Sequence, residues 1–285
     1  QTGTFSLYKM SGYSISSFIF FAFLIGVITK SATFPFHTWL PDASVAPTPV
    51  TAFLHAAVLV KIGVYGLLRI YWKTLVVEGN INWVLYLCVF SSLIAGVIAL
   101  IEKDIKKILA YSTVSQLGFL LSGILSLNPK SIEGVLIFYI AHAIGKGGLF
   151  LTAGIIEKIF ETKDITKMGG LMRNYPILTG GFLFSMLSVI GFPPFLGFFG
   201  KINIITGFLF NKNLMCSFLL MLSSILTLLY MWRIFSYVFI SRNGTLIIKP
   251  VNGLNYMNFS VIICGFFSFF LGILYLFLKG GFFGY

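Results

Sequence analysis

The sequence predicts an all-α polytopic membrane protein with about eight transmembrane helices. Of its 285 residues, 58% are hydrophobic and only 10% are charged, and the mean hydropathy is +0.96. Several apolar runs reach the roughly 20 residues that a helix needs to cross the hydrocarbon core of a bilayer. Short segments containing proline, glycine or lysine separate these runs. Such a chain is too apolar for a soluble domain of this length.

The apolar runs, taken in order, define the predicted spans. The first span is interrupted after Lys30 by a proline-rich segment, and the sixth is too long for one helix and is broken within GFPPFLGFFGK, residues 191–201. The predicted spans are 13–40, 49–70, 82–101, 106–127, 132–158, 175–210, 214–240 and 255–278. Two spans broken by proline and glycine in corresponding places indicate a repeat-built transport fold with an ion path near the middle of the membrane.

The loops between the predicted spans carry most of the basic residues and suggest an orientation. More of these residues follow the odd-numbered spans than the even-numbered ones, including Lys103, Lys106, Lys107 and the 158–173 loop. The positive-inside rule predicts that these loops lie on the cytoplasmic or matrix side. The formal charge of +12 is therefore attributed to loop lysines that orient the protein in the membrane. No nucleic-acid partner is expected.

Lysine and histidine side chains inside the spans are the candidate functional residues. A lysine at the bilayer centre costs roughly 2.5–3.5 kcal/mol on insertion scales, so a functional reason is expected. The carboxylates all fall at predicted span ends or in loops, so a buried lysine here can exchange a proton rather than hold a fixed ion pair. The predicted relay residues are Lys30, His55, Lys61, His142, Lys146 and Lys201.

Purely structural interpretations of these residues also remain open. Lys30 and Lys201 lie at predicted helix breaks, where a lysine can also extend toward the membrane surface as an anchor. His55 and His142 could be core histidines, and His37 is interpreted as structural. The polar stretch from Ser112 to Gln116 either lines a hydrated cavity or serves helix contacts.

No residue pattern indicates catalysis, a metal or a cofactor in this chain. The cysteines stand singly in apolar runs, and the histidines are scattered without a close set of other ligands. Neither a nucleotide-binding glycine motif nor a triad-like arrangement is present. Any redox chemistry is therefore expected in other chains.

Six segments in order along most of the chain resemble one family. It comprises the antiporter-like membrane subunits shared by respiratory complex I, membrane-bound hydrogenases and Mrp sodium/proton antiporters. The segments are KSATFPFHTWLPDASVAPTPVTAFLHAA (30–57), VLVKIGVYGLLR (58–69), KDIKKILAYSTVSQLGF (103–119), HAIGKGGLFLTAG (142–154), KMGGLMRNYP (167–176) and GFPPFLGFFGK (191–201).

The resemblance implies two inverted repeats, each with a broken helix, and a water-linked axis of buried lysines. Lys30 resembles the broken-helix lysine of the first half-channel, and His55 and Lys61 resemble the links between the halves. Lys146 resembles the lysine of the second half, and Lys201 the terminal residue of the second broken helix. The family pairs its first lysine with an upstream glutamate, and this chain has none. We therefore expect residues 1–285 to be part of a single transport domain whose N-terminal helices are missing or lie on another polypeptide.

The resemblance implies that the chain translocates protons as a subunit of a complex I-like NADH:quinone oxidoreductase or hydrogenase assembly. It also implies that this chain holds no redox centre. Expected partners are sister antiporter-like subunits, redox subunits, the lipid bilayer and H⁺, with Na⁺ as the alternative ion. The expected location is the prokaryotic plasma membrane or the mitochondrial inner membrane. The alternatives are an Mrp-type Na⁺/H⁺ antiporter subunit, an independent solute carrier and a structural scaffold subunit.

Overall fold

The computed structural model describes residues 13–71, 75–77, 82–241 and 254–279, and these residues are mostly helical. The α-helices are α1 (Ser17–Lys30), α2 (Trp39–Ala43), α3 (Thr48–Ala52), α4 (Lys61–Tyr71), α5 (Asn82–Ile101), α6 (Ile105–Leu125), α7 (Pro129–Phe160), α8 (Leu171–Asn174), α9 (Pro176–Ile190), α10 (Leu196–Phe210), α11 (Leu214–Phe235) and α12 (Leu254–Leu278). Two π-helical segments, Phe53–Ala57 and Ser236–Ile240, and a 3₁₀ turn, Ile165–Lys167, complete the helical structure described.

Six stretches in the described ranges are long and apolar enough to cross a membrane. They are Thr48–Tyr71, Asn82–Ile101, Ile105–Leu125, Pro129–Phe160, Leu214–Ile240 and Met257–Leu278. The shorter apolar helices α1, α9 and α10 correspond to the predicted broken spans. The prediction of an all-α membrane fold with broken helices is confirmed. The molecule is an integral membrane protein.

Residues at the start of the first predicted span are extended, not helical. β1 (Tyr13–Ile15) pairs in parallel with β2 (Leu75–Val77), and α1 begins only at Ser17. The sequence places the start of this span at about residue 13, and the helix begins a few residues later, at Ser17. β-branched and aromatic residues suit a strand as well as an apolar helix, so a short apolar run does not distinguish the two.

The first predicted break lies directly after Lys30, as expected. Backbone groups freed by this break find new partners: the Trp39 indole donates to the Thr29 carbonyl at 3.0 Å, and the Phe34 amide donates to Ser91 Oγ at 3.0 Å. His37 stacks on Phe34, with ring centroids 3.6 Å apart. These bonds explain how an irregular segment is tolerated beside membrane helices, because unpaired backbone is costly there.

The second predicted break separates α9 from α10. Gly191 ends α9 with φ +85°, a conformation that glycine adopts without strain, and Pro193 and Pro194 follow it. The chain then re-enters the bundle as α10, where Gly197 lies so close to the Ser188 carbonyl that a Cβ would overlap it.

A third break interrupts the second predicted span. The span that the sequence predicts over 49–70 is found as Thr48–Tyr71, but its helix is interrupted, and the sequence does not predict this interruption. After α3 the backbone widens into the π-helix Phe53–Ala57, turns at 58–60 and resumes as α4 at Lys61. The residues between Phe53 and Val60 include no proline or glycine, so the sequence carries no breaker signal here.

α6 forms the centre of the bundle and is buried on nearly all sides. It packs against α5, α7, α4 and α11, and α7 packs along α10. Glycines allow the closest approaches: a Cβ on Gly118 would lie 2.6 Å from the Cys88 carbonyl, and one on Gly200 would lie 2.5 Å from Phe138 Cβ. Small residues at helix contacts are a general device of membrane bundles. The polar residues of α6 and α7 are thereby buried in the interior of the bundle.

Candidate functional site

Five of the six predicted relay residues lie buried inside the bundle. Lys61, Lys146, His55 and His142 have no exposed surface, and Lys201 is 4% exposed. Within the described ranges, no ion pair involves any of these three lysines. The interior therefore holds a group of basic side chains without a carboxylate.

Lys30 does not join this group. It is the last residue of α1 and its side chain is exposed, so the expectation that it is buried is wrong for this chain. The face of α1 that packs on α4 is formed by residues such as Val27 and Ser31, which lie against Gly63. Because α1 lies at the edge of the described bundle, residues beside this face stay exposed. A relay role for Lys30 stays a prediction.

His142 lies within electrostatic range of the other four buried basic residues. It interacts electrostatically with Lys61, Lys146, Lys201 and His55. Lys146 also interacts in this way with Lys201 and with His55. α7 supplies His142 and Lys146, α10 supplies Lys201, and the broken second span supplies the other two. Residues that are far apart in the sequence thus contribute to one interior group.

Lys61 begins α4 directly after the break that the sequence does not predict. Its Nζ donates a hydrogen bond to the Tyr139 carbonyl at 2.8 Å and lies 4.7 Å from the centroid of the Tyr139 ring. A carbonyl and an aromatic face both stabilise an ammonium without fixing it as a full ion pair would. Tyr139 is a contact that sequence reasoning misses, because nothing in its local pattern marks it.

Lys146 is held by α6. Its Nζ donates to the Leu109 carbonyl at 2.9 Å and also to the Ser112 hydroxyl. Ser112 in turn donates to the same Leu109 carbonyl at 2.8 Å. The predicted polar stretch of α6 therefore reaches a relay lysine directly.

Lys201 is held at the second break. Its Nζ donates to the Ile190 carbonyl at 3.2 Å, one of the groups that the end of α9 leaves without a helical partner. The same atom lies 5.2 Å from the ring centroid of Phe138 and 5.7 Å from that of Phe119. The broken helix thus supplies the acceptor that a buried lysine needs.

The two histidine rings are buried without protein hydrogen-bond partners. Both ring nitrogens of His55 and both of His142 are unpaired among the described residues. His55 lies beside Phe150, with ring centroids 4.6 Å apart, and His142 lies edge-on to Phe138. Buried polar atoms are usually satisfied, by water where protein offers nothing. Both rings therefore present nitrogens that no described protein group occupies.

The contacts of the buried lysines are compatible with proton exchange. No group of three or more histidine, cysteine, aspartate or glutamate side chains in the described part of the chain is close enough to hold a metal ion. The lysines are bound through carbonyls, hydroxyls and aromatic faces, all of which tolerate either a charged or a neutral amine.

One polar group beyond the predicted set also contacts the site. Ser223, Thr227 and Tyr230 of α11 are all fully buried and lie against the polar stretch of α6. Their spacing of four and three residues places them on one face of a mostly apolar helix. That stripe is a signal in the sequence, although neutral side chains stand out less in a membrane span than charged ones.

Comparison with known proteins agrees with the fold and the motifs. Residues 2–229 match the family described as "NADH:quinone oxidoreductase/Mrp antiporter, TM". The chain is 37% identical over 247 residues to NADH-quinone oxidoreductase subunit L of Buchnera aphidicola, an alignment that covers 84% of this chain and 39% of that protein. It is 43% identical over 195 residues to an Na⁺/H⁺ antiporter subunit of Alkalihalophilus pseudofirmus, covering 62% of this chain and 24% of that protein.

The structural comparison shows the same fold. A chain in the structure of the Mrp complex from Dietzia matches with a TM-score of 0.86 at 22% identity, covering 97% of this chain and 61% of that one. The chain thus spans about two fifths or less of the two relatives named above and about three fifths of the structural match. The family match covers most of the sequence, and the chain therefore belongs to the NADH:quinone oxidoreductase/Mrp antiporter transmembrane family.

Proposed function

We propose that this chain is a proton-translocating membrane subunit of a complex I-like assembly. The observation that carries the proposal is the set of five buried basic residues, Lys61, His55, His142, Lys146 and Lys201, which interact with one another and have no carboxylate partner in the described bundle. Each lysine is bound by neutral acceptors, so it can lose and regain a proton without breaking an ion pair.

The relay uses the chain's own groups in sequence. A protonated lysine gives its proton to water or to a histidine nitrogen, and an amine freed in this way accepts the next proton. His142 is the group that passes protons among Lys61, Lys146 and Lys201, since it interacts with all three. Charge on any one of these residues disfavours charge on the next, so a proton arriving at one end favours release at the other.

We propose that residues 1–285 form part of one transport domain and that its partners are other membrane subunits, with redox subunits supplying the driving force. The outer face of α1 is apolar and exposed at Phe18 and Ile25, close to Lys30 in sequence. Helices outside this chain would cover that face and bring Lys30 into the membrane interior. We further propose that Lys103, Lys106, Lys107 and the 158–173 loop lie on the cytoplasmic or matrix side, following the positive-inside rule.

The test is ion flux in sealed vesicles that contain the native complex with Lys146→Met. Proton translocation is expected to fall at least tenfold while the complex stays assembled. The matched control is Lys158→Met, because Lys158 lies on the same helix but is exposed. Unchanged proton flux in the Lys146 variant would rule out the relay. Loss of assembly with normal flux per remaining complex would instead favour a structural scaffold.

A second candidate function is sodium/proton antiport. The 43% identity to an Na⁺/H⁺ antiporter subunit favours it. Sodium flux measured in the same vesicles separates the two functions, because antiport requires sodium to move against protons at a fixed ratio. A sodium flux that disappears with the proton flux in Lys146→Met would support antiport.

A further inference from the structure

An apolar groove lies on the outside of the bundle between α9 and α12. Its volume is about 220 Å³, and its walls include Ile177 and Phe184 of α9 and Ile262 and Phe266 of α12. Ile177 is 58% exposed and Phe266 is 60% exposed, so the groove opens outward. The buried basic residues of the relay do not line it. We name this surface the α9–α12 groove.

Glycines bring the two helices close together beneath the groove. A Cβ on Gly181 would lie 2.6 Å from Val261 Cγ1, and one on Gly265 would lie 2.8 Å from Phe184 Cβ. Small residues allow such contacts between membrane helices, and the larger side chains beside them stand up as walls. The groove is therefore a fixed feature of the way in which α9 and α12 pack.

The groove lies at the end of α9 that is next to α8. Its lining begins at Pro176, the first residue of α9. From Ile177 to Phe184 the helix rises about 10 Å. This length is less than half of the roughly 30 Å hydrocarbon core, so the groove lies within one leaflet of the bilayer.

A single acyl chain suits this groove better than a helix of a neighbouring protein. A transmembrane helix packs along much of the roughly 30 Å core, whereas the groove extends for about 10 Å. Lipid tails are as apolar as leucine, so a tail alone gains little from entering an apolar groove in the membrane. A particular lipid must therefore be selected through its head group.

Arg173 is a cation placed to bind such a head group. It lies three residues before Pro176 and is exposed. Among the residues that the structure describes, its side chain forms no ion pair or hydrogen bond. Three residues span at most about 11 Å, and the head-group layer is about 5–8 Å deep. The guanidinium can therefore reach a phosphate, which it binds with two parallel hydrogen bonds.

The charge of the two segments that lead into α9 and α12 favours an anionic lipid. Residues 158–173, before α9, include four basic and two acidic residues. Residues 242–253, before α12, include Arg242 and Lys249 and no acidic residue. Each basic residue near an anionic lipid surface adds to the attraction, whereas a zwitterionic lipid offers no net charge.

We propose that the α9–α12 groove binds one anionic phospholipid, with an acyl chain between Ile177 and Phe266 and its phosphate on Arg173. Arg173 supplies the selectivity and the groove supplies the position of the tail. This site is separate from the relay and does not depend on whether the chain translocates protons.

Photolabelling of the native complex tests the site. The complex is placed in phosphatidylcholine nanodiscs that contain a trace of phosphatidylglycerol with a photoactivatable diazirine in its acyl chain. After irradiation, labelled peptides are mapped by mass spectrometry. Residues 177–184 and 262–266 should be labelled about fivefold more than by the same dose of diazirine-bearing phosphatidylcholine, which is the size of effect expected of one basic residue near an anionic lipid.

Variants of Arg173 test the head-group contact. Arg173→Gln should reduce labelling by phosphatidylglycerol to the level seen with phosphatidylcholine, and Arg173→Lys should keep much of the difference because it keeps the charge. Lys158→Gln is the matched control, since Lys158 is an exposed basic residue at the end of α7. It should leave the labelling of the groove unchanged.

A larger side chain in the groove tests the position of the tail. Ile262→Trp should reduce labelling at 177–184 at least fivefold, because the indole takes the place of the acyl chain. Ile263→Trp is the matched control, since Ile263 is 48% exposed but does not line the groove. If the Ile262→Trp complex does not assemble, the Arg173 variants alone decide the result.

Two results would overturn the inference. Equal labelling of the groove by the two lipids, unchanged in Arg173→Gln, would show only general contact with the bilayer. No labelling of either helix in the intact complex would show that a neighbouring protein covers the groove. Normal labelling together with unchanged proton flux in Lys146→Met would overturn the proposed function and leave the lipid site intact.

Discussion

The Nζ atom of Lys61 lies 2.8 Å from the backbone oxygen of Tyr139 and 4.7 Å from the centroid of the same residue's ring. Tyr139 precedes His142 by about one turn of α7, so this contact brings the first residue of α4 to the helix that carries the centre of the site. The break before α4 makes the contact possible, since it frees Lys61 from the middle of a continuous helix.

Lys61→Met is expected to reduce proton flux at least tenfold in the native complex, because it removes the exchangeable proton and keeps most of the side-chain volume. Lys61→Arg should also be impaired, since guanidinium stays charged at all accessible pH values and cannot release its proton. Flux in sealed vesicles is the measurement. Wild-type flux in the arginine variant would show that Lys61 supplies only a fixed charge.

Much of the fold follows from local sequence signals. The breaks after Lys30 and Ile190 lie beside proline-rich segments, and the long single spans match uninterrupted apolar runs. The break before Lys61 has no such signal, because it depends on packing of the π-helix Phe53–Ala57 against α7. Proline and glycine interrupt a helix through local sequence, whereas this break arises from tertiary packing.

The candidate site is predictable from the sequence where charge marks it. Buried lysines and histidines are costly in a membrane and therefore stand out. The Tyr139 carbonyl that binds Lys61 is marked by no local pattern, and the Tyr230 hydroxyl is marked only by a stripe of neutral polar residues. Lys30 is the opposite case, because its charge marks it in the sequence but its side chain is exposed in the structure. An apolar run predicts membrane depth but not which face of its helix meets the rest of the protein.

The ion pair between Lys106 and Glu157 is expected to stabilise the α6–α7 end of the bundle. The Nζ–Oε2 distance is 2.7 Å, and Lys106 is only 3% exposed, whereas Glu157 is 28% exposed. Glu157→Gln leaves a buried ammonium without its carboxylate and should cost about 1–3 kcal/mol, less than for a fully buried pair because water reaches Glu157. The measurement is unfolding of the protein in nanodiscs.

Two variants check the assignment of this ion pair. Lys106→Met combined with Glu157→Gln should recover much of the loss, because the only lysine left without Glu157 is Lys163, which is 33% exposed and therefore solvated. Lys130→Met is the control for a weak surface pair, at 3.8 Å from Glu133 and 41% exposed, and should change stability by roughly 0–0.5 kcal/mol. Equal effects of Glu157→Gln and Lys130→Met would contradict the argument.

The turn at Asp164 should respond to pH. The Thr166 hydroxyl donates to Asp164 Oδ1 at 2.6 Å and lowers the pKa of that carboxyl below its ordinary value. A lowered folded-state pKa stabilises the turn above the unfolded value of about 3.9, and the stabilisation is lost as pH falls through the folded value. Thr166→Val should therefore weaken amide-exchange protection at Ile165 near neutral pH.

The difference between Thr166→Val and wild type should disappear in acid, once the carboxyl of Asp164 is protonated in both proteins. Asp164→Asn serves as the comparison, because its turn should show little dependence on pH between neutral and acid conditions. A protection difference that persisted unchanged at pH values well below about 3.9 would show that Thr166 acts through packing and not through the carboxylate.

The close approach of Gly197 to Ser188 should make the second break intolerant of any side chain. A Cβ at Gly197 would overlap the Ser188 carbonyl oxygen, and this contact joins the two halves of the broken helix. Gly197→Ala must push α9 and α10 apart, at an expected cost of about 1–3 kcal/mol or more, with Lys201 shifted from its Ile190 acceptor. Gly180→Ala on α9 is the matched control, because nothing lies within 4 Å of the added Cβ. It should leave stability unchanged or raise it by about 0.4–1 kcal/mol through lower unfolded-state entropy. The free energy of unfolding and the proton flux are measured on both variants in the native complex, and both should fall for Gly197→Ala alone. An alanine tolerated at Gly197 would show that this contact does not hold the break.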